Sequence, residues 1–130
     1  MGTVPDEAAR LVTSEPLMAH LATCRDGRPH VAPVWYVYDE SNAVVELVTT
    51  GRKLANVRQN PRVALSIQKD VAGQAQWMVS MLGTATVVDD DDATRDATRR
   101  INEKYGALES AWSENVLVSV AIGSVSFRTY

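Results

Sequence analysis

The sequence of 130 residues has little of what disulfide and metal sites require. It contains one cysteine, Cys24, and two histidines, His20 and His30. A lone cysteine cannot form a disulfide within the chain, and so few histidines do not favour a His/Cys zinc cluster. We therefore expect no metal site, and we interpret Cys24 as a small residue on a strand.

Long apolar runs and basic clusters are also missing. No apolar stretch approaches the roughly 20 residues that a membrane-spanning helix needs. The 13 basic and 16 acidic residues give a net charge of −3, and the basic residues form no stripe with interleaved aromatics of the kind that binds nucleic acid. The N-terminal segment lacks the basic-then-apolar pattern of a signal peptide. We expect a single domain over residues 1–130 of a cytoplasmic protein, with no membrane or nucleic-acid partner.

The most informative segment is residues 48–65, which read VTTGRKLANVRQNPRVAL. The pattern predicts a strand that turns through a Thr-Thr-Gly corner into a short helix, which ends before Asn60-Pro61. Arg52 and Lys53 fall in the first helical turn, where cations oppose the helix dipole. An anion would reconcile them with the hydroxyls and free backbone N–H groups beside them. We interpret this corner as a phosphate site; the alternative is two solvated basic side chains.

Short alternating segments dominate the rest of the chain. Helices are predicted at residues 6–13 and 91–105, besides the one that follows the corner. Strands are predicted at residues 17–24, 30–38, 43–49, 62–68, 74–88 and 116–127. The Asp26-Gly27 pair favours a tight hairpin turn between the first two. This order, without βαβ alternation, predicts a mainly β (α+β) fold, a six-stranded antiparallel barrel with peripheral helices.

Three local features carry more specific expectations. Pro33 cannot donate a ladder hydrogen bond, so its strand is expected to be bulged or unpaired there and to leave backbone groups for a ligand. Gly83 is expected to mark a bulge or bend in the longest strand. The acidic run at residues 89–92 is interpreted as a helix start, whose dipole it complements, rather than as a metal site.

Several motifs together resemble those of a known family. They are His30-Val-Ala-Pro-Val-Trp35 after an Asp-Gly-Arg-Pro turn, Thr49-Thr50-Gly51-Arg52-Lys53, Asn56-Val57-Arg58 and Asn60-Pro61-Arg62-Val63-Ala64. In this order and spacing they resemble the pyridoxamine 5′-phosphate oxidase-like, FMN-binding split-barrel proteins, including their deazaflavin (F420)-dependent branch. The resemblance is clear over residues 17–88. It implies a six-stranded split barrel and a homodimer, with two cofactors in the clefts between the subunits.

The resemblance also implies positions for the cofactor phosphate. Residue by residue, it places the phosphate on Arg52 and Lys53, with help from Thr49 and Thr50. This agrees with the anion site that the helix start predicts from its own residues.

The flat ring of the cofactor would lie along the backbone of Pro33, Val34 and Trp35. Trp35 is interpreted as lining the pocket, with ordinary core packing as the alternative. His30 is expected to face the ring or the phosphate, although a histidine on a sheet is also compatible with a structural role.

Two further aromatic residues, Trp77 and Trp112, each have two possible roles. Trp77 lies, together with Met81, on the long strand that in the family faces the dimer interface, so it is included among the cofactor-binding residues. The alternative for both is the barrel core. Trp112 is expected either to close the cofactor cleft from the other subunit or to cover the barrel end.

Two departures from the oxidase bear on the substrate. The oxidase carries further basic residues on its second strand, where this chain has Ala32 and Val37, and its substrate-binding segment is not recognisable in residues 124–130. The family name therefore does not identify the substrate. No nucleophile–base pair is evident, which agrees with chemistry carried by a cofactor.

The resemblance implies a homodimeric oxidoreductase that binds FMN, or alternatively F420, and transfers a hydride to or from a small molecule. One alternative is a flavin, F420 or haem binding protein without turnover. The other is a structural or interaction protein without a cofactor, which would leave the cations of the helix start unexplained.

Overall fold

A computed structural model describes residues 4–130, which form seven strands and three helices. The helices are α1 (Asp6–Val12), α2 (Gly51–Gln59) and α3 (Asp91–Tyr105). The strands are β1 (Ala19–Arg25), β2 (Arg28–Val34), β3 (Val37–Asp39), β4 (Val44–Thr49), β5 (Arg62–Val71), β6 (Gln74–Val88) and β7 (Val116–Thr129). Each predicted helix and strand is present with small differences at the ends, except that the strand predicted over residues 30–38 is divided into β2 and β3.

All seven strands belong to one antiparallel sheet in the order β2-β1-β5-β6-β7-β4-β3. The two edge strands, β2 and β3, are consecutive in the chain and are linked only by Trp35 and Tyr36. So short a link brings the two edges together, and the sheet therefore curls into a barrel that is split at this link. We call Trp35 and Tyr36 the seam. The predicted split barrel with peripheral helices is confirmed.

The seam explains why there are seven strands instead of the six predicted. One strand was predicted over residues 30–38, but it is interrupted at the seam. There the backbone N–H of Tyr36 donates to the hydroxyl of Tyr105 (3.2 Å), and Lys104 Nζ donates to the Tyr36 carbonyl (2.9 Å). Because side chains of α3 satisfy the backbone of Tyr36, the strand can break here without leaving buried groups unpaired.

The barrel interior is filled by alternate residues of the long strands. Alternate residues of β5 and β6 are buried, namely Val63, Leu65, Ile67, Trp77, Val79, Met81 and Ala85, whereas Val87 on the same face of β6 is half-buried. Tyr36 of the seam is also fully buried, and its hydroxyl donates to the Val12 carbonyl at the end of α1 (2.5 Å). This bond attaches α1 to the barrel.

The two irregularities predicted within strands have different outcomes. Near Gly83 the pairing of β6 with β7 shifts register, as expected. A Cβ at this position would lie 2.7 Å from the Ala121 carbonyl oxygen, so a larger residue would push the strands apart. The bulge expected at Pro33 is absent, because Pro33 pairs with His20 in regular register. β2 is an edge strand, where a residue without an N–H group is tolerated.

α3 begins and ends as predicted. The Asp90 carboxylate accepts a hydrogen bond from the Ala93 N–H (2.9 Å), and Gly106 ends the helix with a φ of 68°. The acidic run therefore starts a helix, which confirms the interpretation made from the sequence. In the part of the chain that the structure describes, no helix combines the length and apolar character needed to cross a membrane.

Candidate functional site

A cleft of about 360 Å³ lies beside the seam. It is formed by β2, the end of β4, the start of α2, the middle of α3 and the segment before β7. The lining residues are Met18, Pro33, Val34, Trp35, Val48, Thr49, Thr50, Lys53, Ile101, Trp112, Glu114 and Asn115. Six of the predicted cofactor-binding residues are among them, namely Pro33, Val34, Trp35, Thr49, Thr50 and Lys53.

One side of the cleft is the corner between β4 and α2. Thr50 is the N-cap residue of α2, but its side chain makes no capping hydrogen bond, and the first turn carries no acidic residue. The backbone N–H groups of this turn are therefore not satisfied by a side-chain cap. Lys53 adds a positive charge at the cleft wall. A helix start without a cap, next to a lysine, suits a negatively charged ligand.

Another part of the cleft lining belongs to an aromatic wall, which we define as Trp35, Tyr105 and Trp112. The rings of Trp35 and Tyr105 are stacked, with centroids 4.6 Å apart and planes at 4°. Trp112 meets Trp35 edge-on, with centroids 5.8 Å apart and planes at 87°. These are the two arrangements that aromatic pairs favour. Trp35 and Trp112 line the cleft and give this part of it an apolar, aromatic surface.

Hydrogen bonds behind the wall fix its position. The Tyr105 hydroxyl donates to the Leu17 carbonyl (2.6 Å) while it accepts from the Tyr36 N–H. Lys104 Nζ lies 3.7 Å from the centre of the Tyr36 ring, in addition to its bond to the Tyr36 carbonyl. Tyr105 and Lys104 thus hold the backbone of Tyr36, while the neighbouring Trp35 lines the cleft.

Burial changes the pKa values of three ionisable groups, namely Tyr105 of the wall and Tyr36 and Lys104 behind it. It lowers the pKa of Lys104 to about 8 and raises the pKa of Tyr105 to about 12. It is also the main cause of the raised pKa of Tyr36, to which the neighbouring Tyr105 adds. Both tyrosines are therefore neutral hydrogen-bonding groups near neutral pH, and the lysine titrates close to the physiological range.

Three predicted site residues lie elsewhere. Arg52 is exposed and does not line the cleft, although its neighbour Lys53 does. His30 lies on β2 opposite Thr23, and its Nδ1 is buried without a hydrogen-bond partner among residues 4–130. Trp77 is 6% exposed and belongs to the barrel core, which was the alternative reading.

Several residues of the site were not identified from the sequence. Met18, Ile101, Glu114 and Asn115 line the cleft, and Tyr105 supports its wall. They come from three separate parts of the chain, namely the residue before β1, the C-terminal half of α3 and the segment before β7. Ile101 and Tyr105 had a signal, because helical spacing places them with Ala93 and Ala97 in a thin apolar stripe on α3, and that signal indicated packing rather than a site.

A second, larger cleft of about 650 Å³ shares Glu114 and Asn115 with the first. It lies between the start of α3 and the segment before β7, and its wall includes Asp89, Asp90 and Asp91. None of the predicted site residues and no aromatic ring lines it. The smaller cleft is therefore the better candidate site, because the aromatic rings and the predicted residues line it and not the larger one. No group of three or more His, Cys, Asp or Glu side chains in residues 4–130 is arranged to hold a metal ion.

Comparison with models of known protein families shows to which family the chain belongs. The family model described as pyridoxamine 5′-phosphate oxidase matches residues 4–127. The chain belongs to this family. The match includes the C-terminal strand, where the sequence motifs gave little signal, so the family relationship extends over the whole barrel.

Three individual proteins are similar to this chain. The F420H(2)-dependent biliverdin reductase of Mycobacterium tuberculosis (strain CDC 1551 / Oshkosh) is 37% identical over 93 residues, which are 71% of this chain and 66% of that protein. A solved F420 reductase has a TM-score of 0.77 at 26% identity, covering 95% of this chain and 98% of that one. A FAD-binding protein from Mesorhizobium loti has a TM-score of 0.78 at 23% identity, covering 98% and 96%.

Proposed function

We propose that this chain is an oxidoreductase that binds a flavin in the 360 Å³ cleft and transfers a hydride to or from a small molecule. FMN is the proposed cofactor and F420 the alternative. The observation that carries the proposal is that an uncapped helix start with Lys53 and an aromatic wall face the same cleft. The family relationship and the identity to an F420H(2)-dependent reductase support it.

The phosphate of the cofactor would bind at the start of α2. Lys53 would supply a charge-assisted hydrogen bond, and the hydroxyls of Thr49 and Thr50 lie at the same wall. A contact of this kind contributes about 1.5–3 kcal/mol to binding. Arg52 is exposed, so its contribution would come from longer-range attraction to the phosphate and would be smaller in salt.

The planar ring would lie along the backbone of Pro33, Val34 and Trp35. β2 is an edge strand, so its outer backbone groups face no further strand within residues 4–130. Such groups can hydrogen-bond to the polar edge of a ring, while the wall excludes water from its face. When bound, a flavin or deazaflavin itself supplies the hydride donor or acceptor, and the residues of the cleft supply position and orientation.

We further propose that the chain forms a homodimer through the outer face of the sheet, and that the partner completes each cofactor cleft. A row of cross-strand neighbours on this face consists of Val31, Ala22, Ala64 and Leu82. Val31 is 63% exposed and Leu82 is 59% exposed. We call these four residues the outer row. An uncharged surface with two exposed aliphatic side chains suits a second copy of the same chain better than water.

Absorption spectroscopy and titration test the proposed cofactor. The purified protein would be titrated in parallel with FMN, FAD, F420 and haem, and binding would be followed by fluorescence quenching and absorption. We expect FMN or F420 to bind with saturation at one site per chain. Turnover would then be measured as oxidation of the reduced cofactor with a panel of small oxidised or unsaturated acceptors. Saturable binding without turnover favours a carrier, and binding of haem alone contradicts the proposal.

A charge placed in the outer row tests the homodimer. Leu82→Asp would put a carboxylate at one end of the outer row, within the proposed interface, and we expect sedimentation to show monomers that have weaker affinity for the cofactor. Val71→Asp is the matched control, because Val71 is similarly exposed (56%) but lies outside the outer row. A parent protein that is monomeric with full cofactor affinity would contradict the shared cleft.

A further inference from the structure

A buried asparagine outside the cleft is bonded to the segment that carries Trp112. Asn102 lies on α3 and is 1% exposed. Its Nδ2 donates to the backbone carbonyls of Glu109 (3.3 Å) and Ala111 (2.8 Å). Its Oδ1 is buried and has no partner in the described part of the chain. Since both neighbours are acceptors, the amide must turn its NH₂ group towards them. All hydrogen bonds of this side chain therefore go to residues 109–111.

Trp112 follows this segment in a conformation that needs support. Its φ of 62° lies in the left-handed region, which is uncommon for a bulky residue. Its side chain is 47% exposed, so burial alone does not hold it in place. The indole nevertheless meets the Trp35 ring edge-on across the cleft wall. The position of the ring therefore depends on the backbone that carries it.

We propose that Asn102 is a positioning residue, which holds Trp112 against Trp35 and so fixes the position of the Trp112 ring in the aromatic wall of the cleft. Asn102 does not line the cleft, whereas both tryptophans do. It acts through the carbonyl of Ala111, the residue directly before Trp112. The consequence for ligand binding rests on the proposed function: a planar ring would bind less tightly once Trp112 is free to move.

The first test follows Trp112 directly and needs no ligand. In a background with Trp35→Phe and Trp77→Phe, Trp112 is the remaining tryptophan, because the chain contains three. Asn102→Leu removes both hydrogen bonds and keeps the number and branching of the side-chain heavy atoms. We expect lower fluorescence anisotropy of Trp112 and faster quenching by acrylamide, with the secondary structure unchanged by circular dichroism.

Thr98→Val is the matched control. Thr98 lies one turn earlier on α3, is 7% exposed, and donates its hydroxyl to the Thr94 carbonyl inside the helix (2.7 Å). This variant also removes a buried hydrogen bond, but it leaves the bonds to residues 109–111 in place. Unchanged Trp112 signals in Asn102→Leu, or an equal change in Thr98→Val, would overturn the proposal. If Asn102→Leu does not fold, Asn102→Ser, with its shorter side chain, is judged by the same criteria.

The second test asks whether the effect on binding passes through Trp112. FMN affinity would be measured for the parent, Asn102→Leu, Trp112→Ala and the double variant. We expect each single change to weaken binding roughly twofold to tenfold, and the double variant to be no weaker than Trp112→Ala alone. If the factors of the two single changes multiply in the double variant, Asn102 affects binding independently of Trp112, and the proposal is overturned. If the parent binds none of the flavins, the proposed function fails, and the Trp112 signals still decide the role of Asn102.

Discussion

The two sides of the cleft are built in different ways. The side that would bind phosphate comes from one uninterrupted stretch, the end of β4 and the first turn of α2, with Thr49, Thr50 and Lys53 at the wall. The aromatic side joins the seam, the end of α3 and the segment before β7. Tyr36 and Tyr105, which are hydrogen-bonded across it, are 69 residues apart in the chain.

This difference explains which half of the site the sequence reveals. Cations in the first turn of a helix are an electrostatic anomaly that can be recognised within five residues. A stacked pair of rings from distant segments has no such local signature, because each ring alone looks like core packing. An anion site built on one helix start is therefore readable from its own residues, whereas the ring was placed at Pro33, Val34 and Trp35 only through the family resemblance.

The largest expected effect is on the phosphate side. Lys53→Ala should weaken FMN binding by about 1.5–3 kcal/mol, roughly 10-fold to 150-fold, because it removes a charge-assisted contact at the cleft wall. Riboflavin, which has the same ring without the phosphate, should bind the variant and the parent equally. Fluorescence titration of both ligands separates the contribution of the phosphate from that of the ring.

Arg52→Ala is the control that the chain itself offers. It removes the same charge one residue away, from an exposed side chain outside the cleft. We expect a smaller loss of FMN affinity, which fades as salt is added. A larger effect for Arg52→Ala than for Lys53→Ala would contradict the assignment of the cleft-facing cation.

A moderate effect is expected on the aromatic side. Trp35→Ala removes the flat surface that is backed by Tyr105 and flanked by Trp112. The loss of a ring contact should weaken FMN and riboflavin by the same factor, roughly twofold to tenfold. Unequal factors for the two ligands would show that the two sides of the cleft are coupled. Trp35→Phe should retain most of the affinity, since it keeps an aromatic face.

Much of the fold was predictable, because its signals are local. The hairpin at Asp26-Gly27, the helix start at Asp90 and the irregularity at Gly83 each follow from one or a few residues. The break of the predicted strand at Tyr36 was not predictable, since its backbone partners come from α3.

The role of a residue was harder to predict than its strand. Trp77 and Met81 are an even number of residues apart and therefore share one face of β6, but the sequence does not say which face is inside. The structure places that face in the core, so the outward residues of β6, such as Leu82, are the ones available to a partner. In the same way, the sequence marked two cations in α2, and helix phase and packing bring only Lys53 to the cleft.

The smallest expected effect concerns the support behind the aromatic wall. Burial lowers the pKa of Lys104 from its ordinary 10.5 to about 8. Between these values the unfolded chain binds more protons at this site than the folded chain, so this group makes stability rise with pH. Below about pH 8 both states are protonated, and the unfavourable burial of the charge is present in full.

Lys104→Met should therefore change how stability depends on pH. In urea titrations, we expect the parent to gain stability relative to Lys104→Met as the pH rises from about 8 towards 10.5. Lys69→Met is the control for loss of a lysine, since Lys69 is bonded to Glu15 away from the wall (2.6 Å). A difference that stays constant over this range would show that the amine is hydrated in the folded state. The hydrogen bonds of Tyr105 to Tyr36 and Leu17 would then be the buried support of the seam, and Lys104 would contribute only a solvated contact.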